Sequence, residues 1–194
     1  MTQLNLFGGD RQTLIDDASG KVVLMPGWLD ATTAVQWFAT LHADIPWYGG
    51  RRVMYEREVD VPRLRAHFAA DDAALHPLLH EAIDRVAQAI GAPFNSVGLN
   101  LYRDQHDSVA PHNDKLADLV RGQPIVLLSL GDTRNMTIRA KRPPRRVLHV
   151  DLAAGSLLLM DWTSQLHYDH SIPKQREAVG ARISIAFRVR PPRQ

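Results

Sequence analysis

The sequence of 194 residues contains no cysteine. Disulfide bonds, thiolate zinc sites and a cysteine nucleophile are therefore excluded. The sequence also lacks an apolar run of about 18 residues, which a membrane-spanning helix needs, and its first residues lack the basic start and apolar core of a signal peptide. We therefore expect a cytoplasmic protein that does not span a membrane.

Neither sign of charge dominates the composition. The 23 lysines and arginines are nearly balanced by 21 aspartates and glutamates, which gives a net charge of +2. Hydrophobic residues make up 45% of the chain and charged residues 23%, as in ordinary soluble globular proteins. A chain of this length and composition is predicted to form one domain with a sizeable core, and we expect a monomer.

Two helices are predicted in the first half of the chain. One covers residues 31–45, where Asp30 is suited to cap the helix and one stripe carries Val35, Phe38 and Leu41. The other covers residues 74–91, with apolar residues at steps of three and four and Gly91 at its C-terminal end.

From residue 98 the hydrophobic period changes to two. Short strands are predicted at residues 97–103, 124–132, 135–140, 146–152, 156–161 and 182–190. Many strands with short connections are typical of a sandwich or barrel of the jelly-roll kind. We therefore predict a single α+β domain over residues 1–194: an N-terminal tail (1–20), a helical part packed on one sheet (21–97) and a jelly-roll core (98–194).

A histidine two positions before an aspartate can form half of a metal site, because alternation along a strand puts both side chains on one face. The pattern occurs three times, as His42–Asp44, His112–Asp114 and His167–Asp169. The first pair lies at the end of a predicted helix, where residues i and i+2 do not share a face, and the third lacks a suitable later histidine.

The pair His112–Asp114 is followed by His149, His167 and His170, any of which the fold could bring close. Two imidazoles and one carboxylate form the facial triad that holds ferrous iron with open coordination positions. Zinc also accepts these ligands, so the residue types alone do not choose between the two metals.

The last predicted strand carries arginines on one face. Arg182, Ser184, Ala186 and Arg188 alternate with apolar residues that would point the other way. Inward-facing guanidinium groups need anionic partners, and a dicarboxylate is suitable because arginine pairs with carboxylates through two hydrogen bonds. The alternative is an edge strand whose arginines face water.

Several ordered motifs together resemble the AlkB-type iron(II)- and 2-oxoglutarate-dependent dioxygenases. They are NLYRDQHDSVAPHND, SLGDTR, GSLLLMDWTSQLHYDHSIPK and ARISIAFR. The resemblance covers about residues 93–191 and extends more weakly to WYGG at Trp47. It implies a double-stranded β-helix with N-terminal helices that take part in nucleotide recognition. It also implies oxidative demethylation of 1-methyladenine and 3-methylcytosine in DNA or RNA, with release of formaldehyde, succinate and CO2.

The resemblance also implies the iron ligands. They would be His112, Asp114 and His170, which also become the catalytic residues. His170 is preferred to His167 because the family's distal histidine directly precedes a segment like SIPK.

The 2-oxoglutarate residues implied by the resemblance are Asn100, Tyr102, Arg182, Ser184 and Arg188. Arg182 would bind the distal carboxylate together with Tyr102, and Arg188 the carboxylate next to the keto group. Ser184 stands where family members often have asparagine.

A basic segment favours contact with nucleic acid. Residues 139–146 (RAKRPPRR) contain Arg139, Lys141, Arg142, Arg145 and Arg146, which could hold phosphates. The alternative is a solvated hairpin loop. A base that leaves the duplex is usually held by stacking, and among Trp47, Tyr48 and Tyr55 we favour Tyr55 for this role.

One position departs from the family pattern. Members that repair bases usually carry an acidic residue two positions after the iron-binding aspartate, facing the exocyclic amine of the damaged base. Here that position is Leu116, and the next acid is Asp118. The departure concerns base recognition and not the binding of iron or 2-oxoglutarate.

The first residues include a short motif that resembles the peptide by which bacterial proteins dock on the replication sliding clamp. The motif is QLNLF, with Gln3, Leu4, Leu6 and Phe7, and a disordered tail or an extra strand is the alternative.

For the whole chain, two other functions remain open. In the first, a dioxygenase of the same fold hydroxylates a protein or a small molecule. In the second, the chain binds nucleic acid without catalysis, but the presence of the complete triad and of both arginines argues against this function.

Overall fold

Two antiparallel sheets face each other in the computed structural model, which describes residues 10–54 and 57–192. The first-half strands are β1 (Gln12–Asp17), β2 (Gly20–Met25), β3 (Arg51–Met54), β4 (Arg57–Asp60) and β5 (Leu64–Ala69). The second-half strands are β6 (Ser96–Tyr102), β7 (Val109–His112), β8 (Ile125–Gly131), β9 (Arg134–Ala140), β10 (Val147–Leu152), β11 (Leu157–Met160), β12 (Tyr168–Ile172) and β13 (Arg182–Arg188). The helices are α1 (Ala31–Asp44), α2 (Pro77–Ile90) and α3 (Trp162–His167), with a 3₁₀ turn at Leu116–Asp118.

The large sheet has seven strands in the order β1-β2-β11-β8-β13-β6-β5, and the small sheet has four in the order β10-β9-β12-β7. Strands β3 and β4 pair antiparallel in a separate two-stranded sheet. Helices combined with two facing antiparallel sheets confirm the predicted α+β jelly-roll class. No helix in the described part of the chain is both long and apolar enough to cross a membrane.

Local capping rules account for the ends of the first two helices. The Asp30 carboxylate accepts a hydrogen bond of 2.9 Å from the Thr33 backbone N–H at the start of α1. Helix α2 starts at Pro77, later than predicted, because proline suits the first helical position and the His76 ring accepts from the Leu78 N–H at 3.1 Å. It ends at Ile90, and the capping residue Gly91 has a φ of +77°, which suits a residue without a side chain.

The predicted apolar stripe of α1 was wrong in part. The residues that α1 buries are Ala34, Trp37 and Leu41. Val35 is 67% exposed, whereas Phe38 packs at the margin of the core. Leu41 belongs to both sets, but the buried face of the helix carries Trp37, whereas Phe38 is only partly buried.

The hydrophobic core has two layers, one on each face of the large sheet. One layer lies against α1 and α2 and includes Leu79, Leu128 and Ile185. The other lies between the two sheets and includes Leu127 and Ala186. Neighbouring residues of β8 and of β13 thus point into opposite layers, as the period of two predicts.

Strand β13 is interior, with β6 on one side and β8 on the other. The edge-strand alternative for its arginines was therefore wrong. The first half of the chain also contains strands that were not predicted: β1 lies within the predicted tail, and β5 pairs with β6. β1 was missed because its sequence, QTLIDD, is polar, and as an edge strand it buries only Ile15.

Candidate metal and co-substrate site

The strands β7 and β12 are neighbours in the small sheet and bring two histidines together. His112 pairs in register with His170, and their ring centroids lie 4.5 Å apart. Asp114 lies two residues beyond the end of β7. One potential ligand atom from each of these three residues falls within 4.8 Å of the others, and the described residues contain no other such cluster of three.

The structure also distinguishes among the three histidines, His149, His167 and His170, that could have supplied the third ligand. His167 is exposed at the end of α3, and His149 is exposed on β10, beside Asn135. Neither belongs to the cluster with His112 and Asp114. The register of β7 against β12 therefore favours His170 as the third ligand.

The donor set suits a divalent cation. Burial, reinforced by the neighbouring His112, lowers the pKa of His170 to about 3, so that its imidazole is neutral. His112 Nδ1 lies 2.8 Å from the carbonyl oxygen of Ala110. Because a carbonyl only accepts, Nδ1 carries the proton and Nε2 keeps a lone pair for a metal.

The third donor is held ionised. Burial by itself raises the pKa of Asp114, but attraction to Arg188 and hydrogen bonds from it outweigh burial and leave that pKa below its usual value. Arg188 Nε lies 2.7 Å from Asp114 Oδ2, and Nη2 lies 3.1 Å from Oδ1. The sequence predicted that Arg188 binds a co-substrate carboxylate, and its contact with Asp114 was not foreseen.

A cavity between the two sheets adjoins the cluster. Four of the five predicted 2-oxoglutarate residues line it together with His112 and His170, namely Asn100, Tyr102, Ser184 and Arg188. The fifth, Arg182, has no exposed surface, and its guanidinium carbon lies 5.4 Å from the centre of the Tyr102 ring.

The guanidinium of Arg182 fits a carboxylate. Its Nη2 donates to Ser129 Oγ at 2.8 Å, but Nε and Nη1 are buried without a hydrogen-bond partner. Burial lowers the pKa of Arg182 to about 10, since a buried cation without an anion is unfavourable. An anionic group placed here would satisfy both the free donors and the charge.

Two further arginines at the site were missed. Arg63 Nε donates to Asn100 Oδ1 at 2.7 Å. Arg134, also fully buried, lies 5.5 Å from the Tyr102 ring and donates to the carbonyl oxygens of Asp104, Asp107 and Pro173. The SLGDTR motif contained Arg134 but gave it no role, and no sequence signal marked Arg63.

A surface groove of about 800 Å³ continues from this cavity. The two share Arg63, Val109, His112 and Ile172, and the groove is also lined by Arg65 and Lys174. A bound molecule in the groove would therefore meet basic side chains and His112 of the metal cluster.

The predicted substrate residues are dispersed. Tyr55 lies outside the described residues, as do Gln3, Leu4, Leu6 and Phe7. Leu116 begins the 3₁₀ turn and packs against the core layer between the sheets. Asp118 is exposed, 4.0 Å from Arg190.

The alternative stacking residues differ in environment. Trp47 packs against the helix-facing core layer, whereas Tyr48 is 48% exposed beside the guanidinium of Arg65.

The basic segment 139–146 divides into exposed and engaged residues. Arg139, Arg142, Arg145 and Arg146 are exposed, and Arg146 also donates to the carbonyl oxygen of Leu14 at 3.0 Å. Lys141 differs, because its ammonium lies 2.8 Å from both Asn113 Oδ1 and the carbonyl oxygen of Gln165. The phosphate contact expected of Lys141 stays a prediction, and the ammonium has two hydrogen-bond acceptors within the chain.

Comparison with known proteins identifies the family of the chain. The family model described as "2OG-Fe(II) oxygenase superfamily" matches residues 21–188. The human "Alpha-ketoglutarate-dependent dioxygenase alkB homolog 3" is 29% identical over 187 residues, which cover 87% of this chain and 65% of the human protein. "DNA oxidative demethylase ALKBH2" of Bos taurus is 35% identical over 119 residues, which cover 58% of this chain and 43% of the bovine protein.

The alignments thus span less than two thirds of the length of these relatives. Among solved structures, "The structure of OsALKBH1" superimposes with a TM-score of 0.63 at 15% identity, covering 86% of this chain and 97% of that one. This likeness concerns the fold alone.

Proposed function

The chain is an AlkB-type member of the 2OG-Fe(II) oxygenase superfamily, and on that basis we propose that it demethylates alkylated bases in nucleic acid, using Fe(II) and 2-oxoglutarate. When bound, the iron and 2-oxoglutarate would activate O2 as the oxidant: one of its oxygen atoms would enter succinate as 2-oxoglutarate releases CO2, and the other would hydroxylate an N-methyl group. The hydroxymethyl group would then leave as formaldehyde. The proposed substrates are 1-methyladenine and 3-methylcytosine in DNA or RNA.

One observation carries the proposal above all. The cluster of His112, Asp114 and His170 adjoins a cavity between the sheets. Beside this cavity lies the fully buried Arg182, and two of its guanidinium nitrogens, Nε and Nη1, have no hydrogen-bond partner. A metal with two neutral imidazoles and one carboxylate keeps positive charge for an anionic chelator. One carboxylate of a dicarboxylate would bind that metal, and the other would bind Arg182. Asn100, Tyr102 and Ser184 line the cavity between these two positions.

In this proposal the residues of the chain bind, orient and exclude water, and none acts as a nucleophile or general base. Tyr102 is buried at the cavity, and burial raises the pKa of its hydroxyl, so that it remains a neutral hydrogen-bond donor. Arg63 and Arg134 add positive charge near Tyr102. The cofactors would perform the oxidation, while the protein supplies their placement.

The nucleic-acid part of the proposal rests on surface charge and on the similarity to a DNA oxidative demethylase. Arg139, Arg142 and Arg145 expose guanidinium groups on and after β9, and Arg65 and Lys174 line the groove that leads to the cavity. Phosphates are suitable partners for both sets. Tyr55 remains the proposed stacking residue.

The test is formaldehyde release from oligonucleotides that contain 1-methyladenine or 3-methylcytosine, at saturating Fe(II) and 2-oxoglutarate. His170→Ala should abolish release, because it removes a metal ligand. His167→Ala is the matched control, since His167 is exposed three residues earlier and lies outside the cluster; it should retain activity. Succinate without formaldehyde from any methylated strand would refute demethylation and favour hydroxylation of a protein or small molecule.

We also propose that Gln3, Leu4, Leu6 and Phe7 dock on a replication sliding clamp and that the chain acts as a cytoplasmic monomer. The resemblance of QLNLF to clamp-docking peptides is the support for the first statement. A Leu6→Ala/Phe7→Ala variant should lose clamp binding and keep catalysis. If a peptide of the first ten residues does not bind a bacterial clamp, the docking proposal fails.

A further inference from the structure

The turn that carries Asp114 is supported by two residues from other elements. We call residues 112–114 the ligand turn. Lys141 Nζ donates to Asn113 Oδ1 at 2.8 Å and to the Gln165 carbonyl oxygen at 2.8 Å. Gln165 Oε1 in turn accepts from the backbone N–H of Asp114 at 3.2 Å.

These contacts close a ring of hydrogen bonds. Asn113 Nδ2 donates to the carbonyl oxygen of Asp114 at 2.8 Å. This bond links Asn113, which is bound by Lys141, to Asp114, which is bound by Gln165. Gln165 is 2% exposed within α3, and the Lys141 side chain is 28% exposed, 3.8 Å from Asp169 Oδ1. The ring thus lies mostly away from water, where hydrogen bonds to a charged group are strong.

The ring is placed where the sheet gives no support. Strand β7 ends at His112, so that Asn113 and Asp114 have no strand pairing to fix their backbone. The direction of the Asp114 side chain therefore depends on its own N–H bond to Gln165 and on its contact with Arg188. Partners of this kind orient metal ligands, and their loss typically weakens metal binding about 10- to 100-fold.

We propose that Lys141 and Gln165 are positioning residues that set the metal affinity of the site, and that Lys141 does not serve as a phosphate contact. This role rests on the proposed metal site. Lys141 comes from the segment RAKRPPRR and Gln165 from the segment WTSQLH, and both support the ligand turn. Lys141 belongs to the basic segment in sequence, but its ammonium points to the ligand turn.

The test measures binding of Mn(II) alone to the metal-free full chain, by loss of the free Mn(II) electron paramagnetic resonance signal. Lys141→Met and Gln165→Leu keep side-chain volume and remove the hydrogen bonds. Each should weaken Mn(II) binding about 10- to 100-fold. Asn113→Ala, which disconnects Lys141 from the turn without changing the core, should weaken it in the same direction.

Arg142→Ala is the matched control. Arg142 is the next residue, it is exposed, and its loss removes the same charge. This variant should keep the Mn(II) affinity of the unchanged protein but bind a single-stranded oligonucleotide more weakly. Lys141→Met should show the reverse pattern, and thermal unfolding of each metal-free variant checks that it is folded.

The outcomes separate the two levels of inference. If the unchanged protein binds Mn(II) and His170→Ala does not, the metal site stands. Unchanged Mn(II) affinity in folded Lys141→Met and Asn113→Ala would then overturn the positioning role alone. Loss of oligonucleotide affinity in Lys141→Met equal to that in Arg142→Ala would identify Lys141 as a phosphate contact after all. Failure of the unchanged protein to bind Mn(II) would overturn both the inference and the proposed function.

Discussion

Arg188 contacts the carboxylate of Asp114 at both oxygens, with Nε 2.7 Å from Oδ2 and Nη2 3.1 Å from Oδ1. The two side chains are only 17% and 12% exposed, so that water screens this attraction little. The contact keeps a buried metal ligand ionised and fixes its orientation. A residue predicted to bind the co-substrate therefore contacts the metal ligand in this structure.

Loss of Arg188 should make metal binding depend more strongly on pH. Without the guanidinium, burial is left as the main influence on Asp114, and burial raises its pKa. Protons then compete with the metal as the pH falls. We expect Arg188→Met to weaken Mn(II) binding by about tenfold or more near pH 6, and by less near pH 8. Equal loss at both pH values would show that Arg188 does not act on the ionisation of Asp114.

Arg182 should determine affinity for the distal carboxylate of 2-oxoglutarate. In Arg182→Met that carboxylate would be buried without its partner, which costs roughly 2–5 kcal/mol and weakens binding by an order of magnitude or more. The control ligand is 2-oxobutyrate, which lacks the distal carboxylate. Calorimetric titration in the presence of Mn(II) should find that it binds both proteins alike, and equal 2-oxoglutarate affinities would refute the proposed pocket.

Asp107 should stabilise the fold in a pH-dependent manner. Arg103 donates to it from Nε at 2.8 Å, from Nη2 at 2.9 Å and from its backbone N–H at 2.9 Å. Burial raises the pKa of Asp107, but these hydrogen bonds and the charge of Arg103 outweigh burial and lower it below 3.8.

The sign of the effect follows from this shift. Because the folded pKa lies below the ordinary value of 3.8, the stabilisation is complete above that value and is lost as the pH falls through the folded pKa. Asp107→Asn should destabilise the protein by about 1–3 kcal/mol near neutral pH, and the difference should shrink below about pH 4. Urea unfolding across this range measures it, and a difference that stays constant with pH would contradict the assignment.

Leu116 should limit discrimination between damaged bases. An acidic side chain at this position could accept a hydrogen bond from an exocyclic amine, whereas leucine cannot. An unpaired polar group in a dry pocket costs about 1–3 kcal/mol. We therefore expect Leu116→Asp or Leu116→Glu to raise formaldehyde release from 3-methylcytosine relative to other lesions.

The same change should reduce stability, because Leu116 packs against the core layer between the sheets. Leu116→Asn separates the two effects, since it loses the same packing without adding a charge. Thermal unfolding should show similar losses in Leu116→Asp and Leu116→Asn, while the gain on 3-methylcytosine should be larger in Leu116→Asp. Equal base preference in the unchanged protein, Leu116→Asp and Leu116→Asn would show that residue 116 does not face the base.

Features governed by a few neighbouring residues were predictable from the sequence. Asp30 and Gly91 fix helix ends through contacts within a few positions. The alternation of Arg182, Ile183 and Ser184 already placed the polar and apolar sides of β13, since a strand has a period of two. The triad of His112, Asp114 and His170 came from the motif resemblance. The register of β7 against β12 brings the two histidines together, and Asp114 joins them from the turn after β7.

Contacts between residues far apart in the chain were decided by the tertiary structure alone. Arg188 and Asp114 are 74 positions apart, Gln165 and Asp114 are 51 apart, and Lys141 and Gln165 are 24 apart. No local pattern predicts such pairs, because they depend on which strands become neighbours and on how each loop turns its side chains. The sequence by itself thus determined the chemical types of the ligands and the periodicity of the strands. Strand pairing and the turns after β7 and β9 decided which arginine contacts the ligand carboxylate and which lysine supports its turn, since a side chain can bond only to groups that the fold brings within reach.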